Sequence, residues 1–94
     1  MKVNISEAAE IGLRLLGEDD RRRVMAWIDY LARWDTDSIA RQHAKKLKTD
    51  NEYMLVTNTE YRIFFALEKD TITVLDLATR STLLKFRETA EAGD

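Results

Sequence analysis

The stretch from Tyr53 to Arg80, YMLVTNTEYRIFFALEKDTITVLDLATR, constrains the fold more than any other part of the chain. Three runs rich in β-branched and aromatic residues, Tyr53 to Thr57, Tyr61 to Glu68 and Thr71 to Thr79, are separated only by Asn58-Thr59-Glu60 and by Lys69-Asp70. Connections this short cannot carry a parallel crossover, so the runs must pair antiparallel, as a meander. Strand alternation puts Tyr61, Ile63, Phe65 and Leu67 on one face and Arg62, Phe64, Ala66 and Glu68 on the other. The first set is the core face, and Arg62 stands on the opposite one. The third run is apolar on both faces apart from Asp76, which predicts a central place in the sheet.

The chain before the meander supplies what covers its core face. Lys2 to Ile5 alternates polar and apolar residues, as a short first strand does. Ser6 is a good N-cap, Ala8, Ile11, Leu15 and Leu16 recur at helical spacing, and Gly17 suits a left-handed position just past the helix. Asp19 and Asp20 open a second helix, where the macrodipole favours negative charge. Its apolar stripe is Val24, Trp27, Ile28, Leu31 and Trp34, and the short connection predicts an antiparallel hairpin with both stripes facing one core. A third helix is expected from Ile39 to Leu47, with Ile39, Ala40, His43, Ala44 and Leu47 on one face and Arg41, Lys45 and Lys48 on the other. The fold class read from this order is α+β: two layers, β-α-α-β-β-β, a mainly antiparallel sheet on a helix hairpin. Ser81 to Ala92 has helix propensity for a short terminal helix.

Ninety-four residues make one domain, 1–94, long enough to bury a core without staples. There is no cysteine and a single histidine, His43, so disulfides and thiolate metal sites are excluded and no metal or other cofactor is expected. The longest apolar run falls far short of the roughly 20 residues that span a bilayer, and the amino end lacks the apolar segment of a signal peptide. A soluble, cytoplasmic protein with no membrane partner is the expectation. The formal net charge of -2 does not mark a general nucleic-acid binder, yet Ser38 to Thr49 holds Arg41, Lys45, Lys46 and Lys48 with no acid, while Glu88 to Asp94 is acidic.

Each charged or aromatic signal also has an ordinary reading. Arg62 can pair with Glu60, Glu68 or Asp76 on the sheet surface, for about 0 to 1 kcal/mol. Arg41, Lys45 and Lys48 can be a solvated helix face, and Arg21 to Arg23 can be solvated or paired within their helix. His43 reads as a half-buried packing residue on the apolar face of its helix, away from the arginines. Trp27 and Trp34 read as core. Phe86 and the Leu83-Leu84 pair are either a lid on the core or a strip that contacts a partner.

Taken together, VNISEAAEIGLRLL, EDDRRRVMAWIDYL, the Lys46-Leu47-Lys48 element, the Tyr61-Arg62 pair and LDLATR ending at Arg80 resemble the RelE/ParE superfamily of type II toxins. The resemblance implies a toxin silenced by a cognate antitoxin protein. RelE-like members cleave messenger RNA in the ribosomal A site, and ParE-like members inhibit DNA gyrase without cleaving anything. For the first branch it implies a metal-independent endoribonuclease, an mRNA interferase, in which a 2′-hydroxyl attacks its neighbouring phosphate. Arg62 and Arg80 match the positions that handle that phosphate, as a planar guanidinium can. Arg41, Lys45, Lys46 and Lys48 would hold RNA, and Phe86 would stack on a base. The positions where RelE-like enzymes carry strand lysines read Met54 and Val56, and the tyrosine some six residues after the second arginine reads Phe86. An RNA-cleaving toxin, a gyrase inhibitor and a chain that only binds its antitoxin therefore all stay open on the sequence.

Overall fold

Ser6 fixes how the first helix meets the sheet. In the computed structural model, which describes residues 1–48 and 51–82, the order is β1 (Lys2–Ile5), α1 (Glu7–Arg14), α2 (Glu18–Ala32), α3 (Ile39–His43), β2 (Ala44–Lys46), β3 (Glu52–Val56), β4 (Tyr61–Glu68) and β5 (Thr71–Thr79). The Ser6 hydroxyl accepts from Ala9 N at 3.1 Å, as an N-cap does, and donates to Leu75 O at 2.7 Å, while Ser6 N donates to Val74 O at 2.9 Å. One residue thus caps α1 and ties it to β5.

That anchor sets the rotation of α1, which buries Ala9 and Leu13 and leaves Ile11 49% and Leu15 81% exposed. The stripe expected from spacing, Ala8-Ile11-Leu15, is therefore the outer face, and only Leu16 of that set packs on the core. Small residues decide it: Gly12 sits against Leu77, so the helix approaches β5 closely on its Ala9-Gly12-Leu13 side. Gly17 is likewise not a left-handed cap; α1 ends on Leu15, and Gly17 is the extended N-cap of α2 at φ -62 and ψ 161.

The strands form one sheet in the order β1-β5-β4-β3-β2. β3, β4 and β5 are the expected antiparallel meander, and β1 adds parallel to β5, with Val3 beside Ile72. β4, not β5, is the central strand, though β5 is paired on both sides. Phe64 pairs with Asp76 but Phe65 with Val74, so Leu75 is an extra, bulged residue. The bulge moves Leu77 onto the core side and turns Asp76 out; strict alternation from Ile72 and Val74 would have buried the aspartate.

The expected third helix is the main correction. It stops at His43, Ala44 is extended (φ -91, ψ 134), and Ala44–Lys46 is a strand paired antiparallel with β3. Without it, β3 would present an unpaired edge of N–H and C=O groups. Arg41, Lys45 and Lys48 consequently share no helical stripe.

The core joins Val24, Ile28 and Leu31 of α2 and Ala40 of α3 to Leu55, Ile63, Phe65, Ile72 and Val74 of the sheet. Trp27 and Trp34 are half-buried and pack against it, Trp34 edge-on to Tyr53 and Phe65. No helix of the described residues is long and apolar enough to cross a membrane. The expected terminal helix, apart from residues 81 and 82, and Phe86, Leu83 and Leu84 with it, lie outside the described residues.

Candidate functional site

The turn from Thr57 to Glu60 between β3 and β4 is closed by threonines and an arginine. Thr57 is 5% exposed, and its hydroxyl donates to Tyr61 O at 2.7 Å and accepts from Thr59 N at 3.2 Å. The Thr59 hydroxyl lies 2.7 Å from that of Thr57 and accepts from Tyr61 N at 3.0 Å. Onto this turn folds the Arg62 side chain, whose Nη1 donates to Thr57 O at 3.2 Å, Thr59 O at 3.0 Å and Tyr61 O at 3.1 Å. Arg62 stands on the outer face, as alternation requires, but it pairs with none of Glu60, Glu68 and Asp76. Backbone carbonyls hold it, and its Nη2 and Nε edge is what it can offer a ligand.

Arg80 reaches the same turn from the end of β5, where Arg80 N donates to Glu60 O at 2.7 Å. The Thr79 hydroxyl accepts from Thr82 N at 3.1 Å, capping the helical turn that opens at Arg80. With Arg62 opposite Ala78 and Glu60 opposite Arg80, the two arginines sit one diagonal step apart on the outer face. The Arg80 side chain is exposed and makes no ion pair or hydrogen bond among the described residues. One arginine is braced, and its neighbour is available.

The other residues singled out from sequence scatter. Lys45 lies on the outer face directly across from Met54, in a row that continues through Phe64 to Asp76. Lys46, one residue on, has the opposite parity; Arg41 is exposed on α3 and Lys48 beyond β2. Of these, among the described residues, only Lys45 joins the arginines' face. Between them run Met54, Val56, Phe64, Ala66 and Ala78, a half-buried apolar strip. An open depression of about 710 Å³, lined by Asn4, Glu68, Lys69, Asp70, Thr71 and Thr73, lies at the far end of the sheet. Its one cation stands between two carboxylates, the wrong balance for a phosphate.

On the helix side of the turn, Trp27 Nε1 donates to Asn58 Oδ1 at 3.1 Å and the Tyr61 hydroxyl to Asp20 Oδ2 at 3.4 Å. Burial pushes the Tyr61 phenol above its ordinary range, and the Asp20 carboxylate adds to the shift. His43 is exposed rather than half-buried, and its ring stands edge-on to Trp27 with centroids 5.1 Å apart. Sequence reasoning missed the role of Asn58 and the exposure of His43, which is the last residue of α3. The dipeptide Asn58-Thr59 signalled a turn, but nothing local revealed that β2 begins right after the histidine.

The architecture matches solved toxins. RelE from Pyrococcus horikoshii, determined as a RelE-RelB complex, superposes with a TM-score of 0.68 over 84% of this chain and 93% of its own, at 20% identity. The isolated RelE toxin of E. coli gives 0.67 over 95% and 96%, at 15% identity, and E. coli YafQ gives 0.57 over 87% and 96%, at 11%. The fold is that of the RelE toxins. No protein-family model and no curated protein sequence matches the chain. Within this RelE fold Arg62 lies at the start of β4 and Arg80 just past the end of β5, beside the Thr57–Glu60 turn.

Proposed function

We propose that this chain is the toxin of a type II toxin-antitoxin pair and acts on translation, as a RelE-like protein that binds and cuts messenger RNA on the ribosome. The RelE fold supports the toxin reading, and one observation carries the chemistry: an exposed Arg80 beside an Arg62 already held in place by three carbonyls. A braced guanidinium loses little freedom when it meets a phosphate, and two cations on one face suit the charge that builds as the 2′-oxygen attacks. Lys45 extends that face toward the sheet edge, with Arg41, Lys46, Lys48 and Phe86 as further contacts along the RNA. The working compartment is the cytoplasm, and the partner is a cognate antitoxin, like the RelB seen bound to RelE from Pyrococcus horikoshii. Its segment would cover the apolar strip of Met54, Val56 and Phe64 and neutralise the arginines.

The test is purified protein, freed of antitoxin, on ribosomes stalled over a defined message. Cleavage is expected, and its loss in the Arg62→Ala, Arg80→Ala double variant; an intact message at high wild-type concentration would sink the enzyme reading. The apolar strip favours one second reading, a ParE-like inhibitor that docks on DNA gyrase without cutting RNA. Inhibition of supercoiling by the same preparation, with the message intact, would select it.

A further inference from the structure

The outer face of the sheet carries an aromatic ring that core packing does not explain. Phe64 is half-buried, yet it belongs neither to the core nor to the residues packed against it, and its ring meets no other aromatic ring among the described residues. It stands two residues from Arg62 on the same side of β4, about 7 Å along the strand. Met54 flanks it on β3, and the short side chains of Ala66 and Ala78 share its face. An apolar ring beside two cations that can hold a phosphate is what an unstacked base needs to lie on.

Directly across the β4–β5 pair, Phe64 faces Asp76. The bulge at Leu75 puts the aspartate there, since without the extra residue it would point into the core. Its Oδ1 accepts from Leu77 N at 2.8 Å, which orients the carboxylate, and its Oδ2 has no partner among the described residues. β1 ends at Ile5, opposite Val74, so that strand does not reach Asp76, and the side chain is exposed. A carboxylate this close to a phosphate site repels RNA unless it meets a hydrogen-bond donor, and an ionised carboxylate only accepts.

We propose that Phe64 and Asp76 form a base-reading subsite, Phe64 as its platform and Asp76 as its reader. The proposal rests on the RNA-cleaving reading above and deepens it by naming the preferred substrate. With the scissile phosphate on Arg62 and Arg80, the base of a flanking nucleotide stacks on Phe64 and donates an N–H to Asp76 Oδ2. Adenine, cytosine and guanine each carry an amino donor on the Watson–Crick edge. Uracil offers only N3–H there, set between two carbonyl oxygens that a carboxylate repels. The subsite therefore favours an amino-bearing base beside the cut and disfavours uracil.

The experiment measures single-turnover cleavage on stalled ribosomes of messages that differ only in the base beside the cut, on its 5′ and then its 3′ side. Wild type, Asp76→Asn and Phe64→Leu are compared, and thermal unfolding is followed on each. A hydrogen bond to a charged group corresponds to about 10-fold in rate, so on one side of the cut wild type should process uracil slower than the other three bases by that factor. An asparagine amide both donates and accepts, so in Asp76→Asn the uracil penalty should shrink to within a few-fold; a general charge effect would instead speed all messages alike. Phe64→Leu keeps apolar bulk without a ring face, and should slow every message by about 10-fold at an unchanged unfolding midpoint. If wild type cuts all four bases equally on both sides, or Asp76→Asn keeps the uracil penalty, Asp76 is not the reader and the RNA-cleaving reading stands. If Phe64→Leu cuts like wild type, or slows only as far as its midpoint falls, Phe64 is not the platform. If wild type cuts nothing, both readings fall together.

Discussion

The two turns of the meander are built on opposite terms. Thr57–Glu60 is closed by threonine hydroxyls, by one guanidinium nitrogen on three carbonyls and by the tie from Arg80 N to Glu60 O. Lys69–Asp70 has only Lys2 N donating to Asp70 O at 3.0 Å and the Thr71 hydroxyl donating to Asp70 Oδ1 at 3.3 Å, with no cationic side chain folded onto its carbonyls among the described residues, and Lys69 sits at φ 48, in the left-handed region that costs an L-residue with a long side chain about 1 to 2 kcal/mol. Both join neighbouring strands equally well, so pairing alone does not explain the difference. The heavily bonded turn is the one where the cations gather, and its order serves to hold Arg62.

The sharpest way to break this contrast is Arg62→Ala, which leaves carbonyls of a half-buried turn without their donor. About 2 kcal/mol of stability should go, by the scale of hydrogen bonds to a charged group, and ribosome-dependent activity should fall with it. Equal stability in denaturant titrations would mean that the carbonyls are satisfied by water and the brace is idle. Arg62→Lys sharpens the point, because a single ammonium keeps the charge but not the planar fork. Next in size, Thr57→Val removes a buried hydroxyl that donates to Tyr61 O, and about 1 to 2 kcal/mol should be lost.

At the other turn the sign reverses. Lys69→Asn puts a residue tolerant of positive φ where a lysine is strained, and should raise stability by about 0.5 to 1 kcal/mol without touching activity. An unchanged or lower unfolding midpoint would remove the contrast between the turns. The smallest effect concerns pH. The Tyr61 phenol is raised in the folded state, chiefly by burial, so the folded protein holds a proton that the unfolded chain releases first. Its contribution is complete below the ordinary tyrosine range near 10 and is lost as pH rises through the higher folded value. Tyr61→Phe should flatten the alkaline limb of the unfolding curve; an unaltered limb would show that Asp20 and burial do not act on this phenol.

The meander was legible because turn length and period-2 patterning leave one antiparallel solution, and Ile63 and Phe65 lie buried where alternation put them. Arg62 and Arg80 were legible as a pair on the outer face. Three things were not. The rotation of α1 depends on Ser6 bonding to β5 and on Gly12 facing Leu77, contacts separated by most of the chain. The bulge at Leu75 changes parity inside a run that is apolar on both faces, so the pattern cannot report it. The edge strand Ala44–Lys46 is short, and its alanine and lysines favour a helix; only pairing with β3 overrides that local preference. Each miss is a nonlocal contact that outweighed a local signal, and the last of them put Lys45 on the arginines' face.

Of the two arginines, Arg80 gives the cleaner probe, since its exposed side chain has no bonding role among the described residues, whereas Arg62 also holds a turn together. The direct measurement is the cleavage rate of a defined message on stalled ribosomes by wild type and Arg80→Ala, with unfolding followed on the same samples. Wild type should break the message, the variant should do so at a rate lower by about 100-fold or more, and the unfolding midpoints should coincide. A message left whole by wild type, or cut by Arg80→Ala at the wild-type rate, would show that the paired arginines are not a phosphate-handling site.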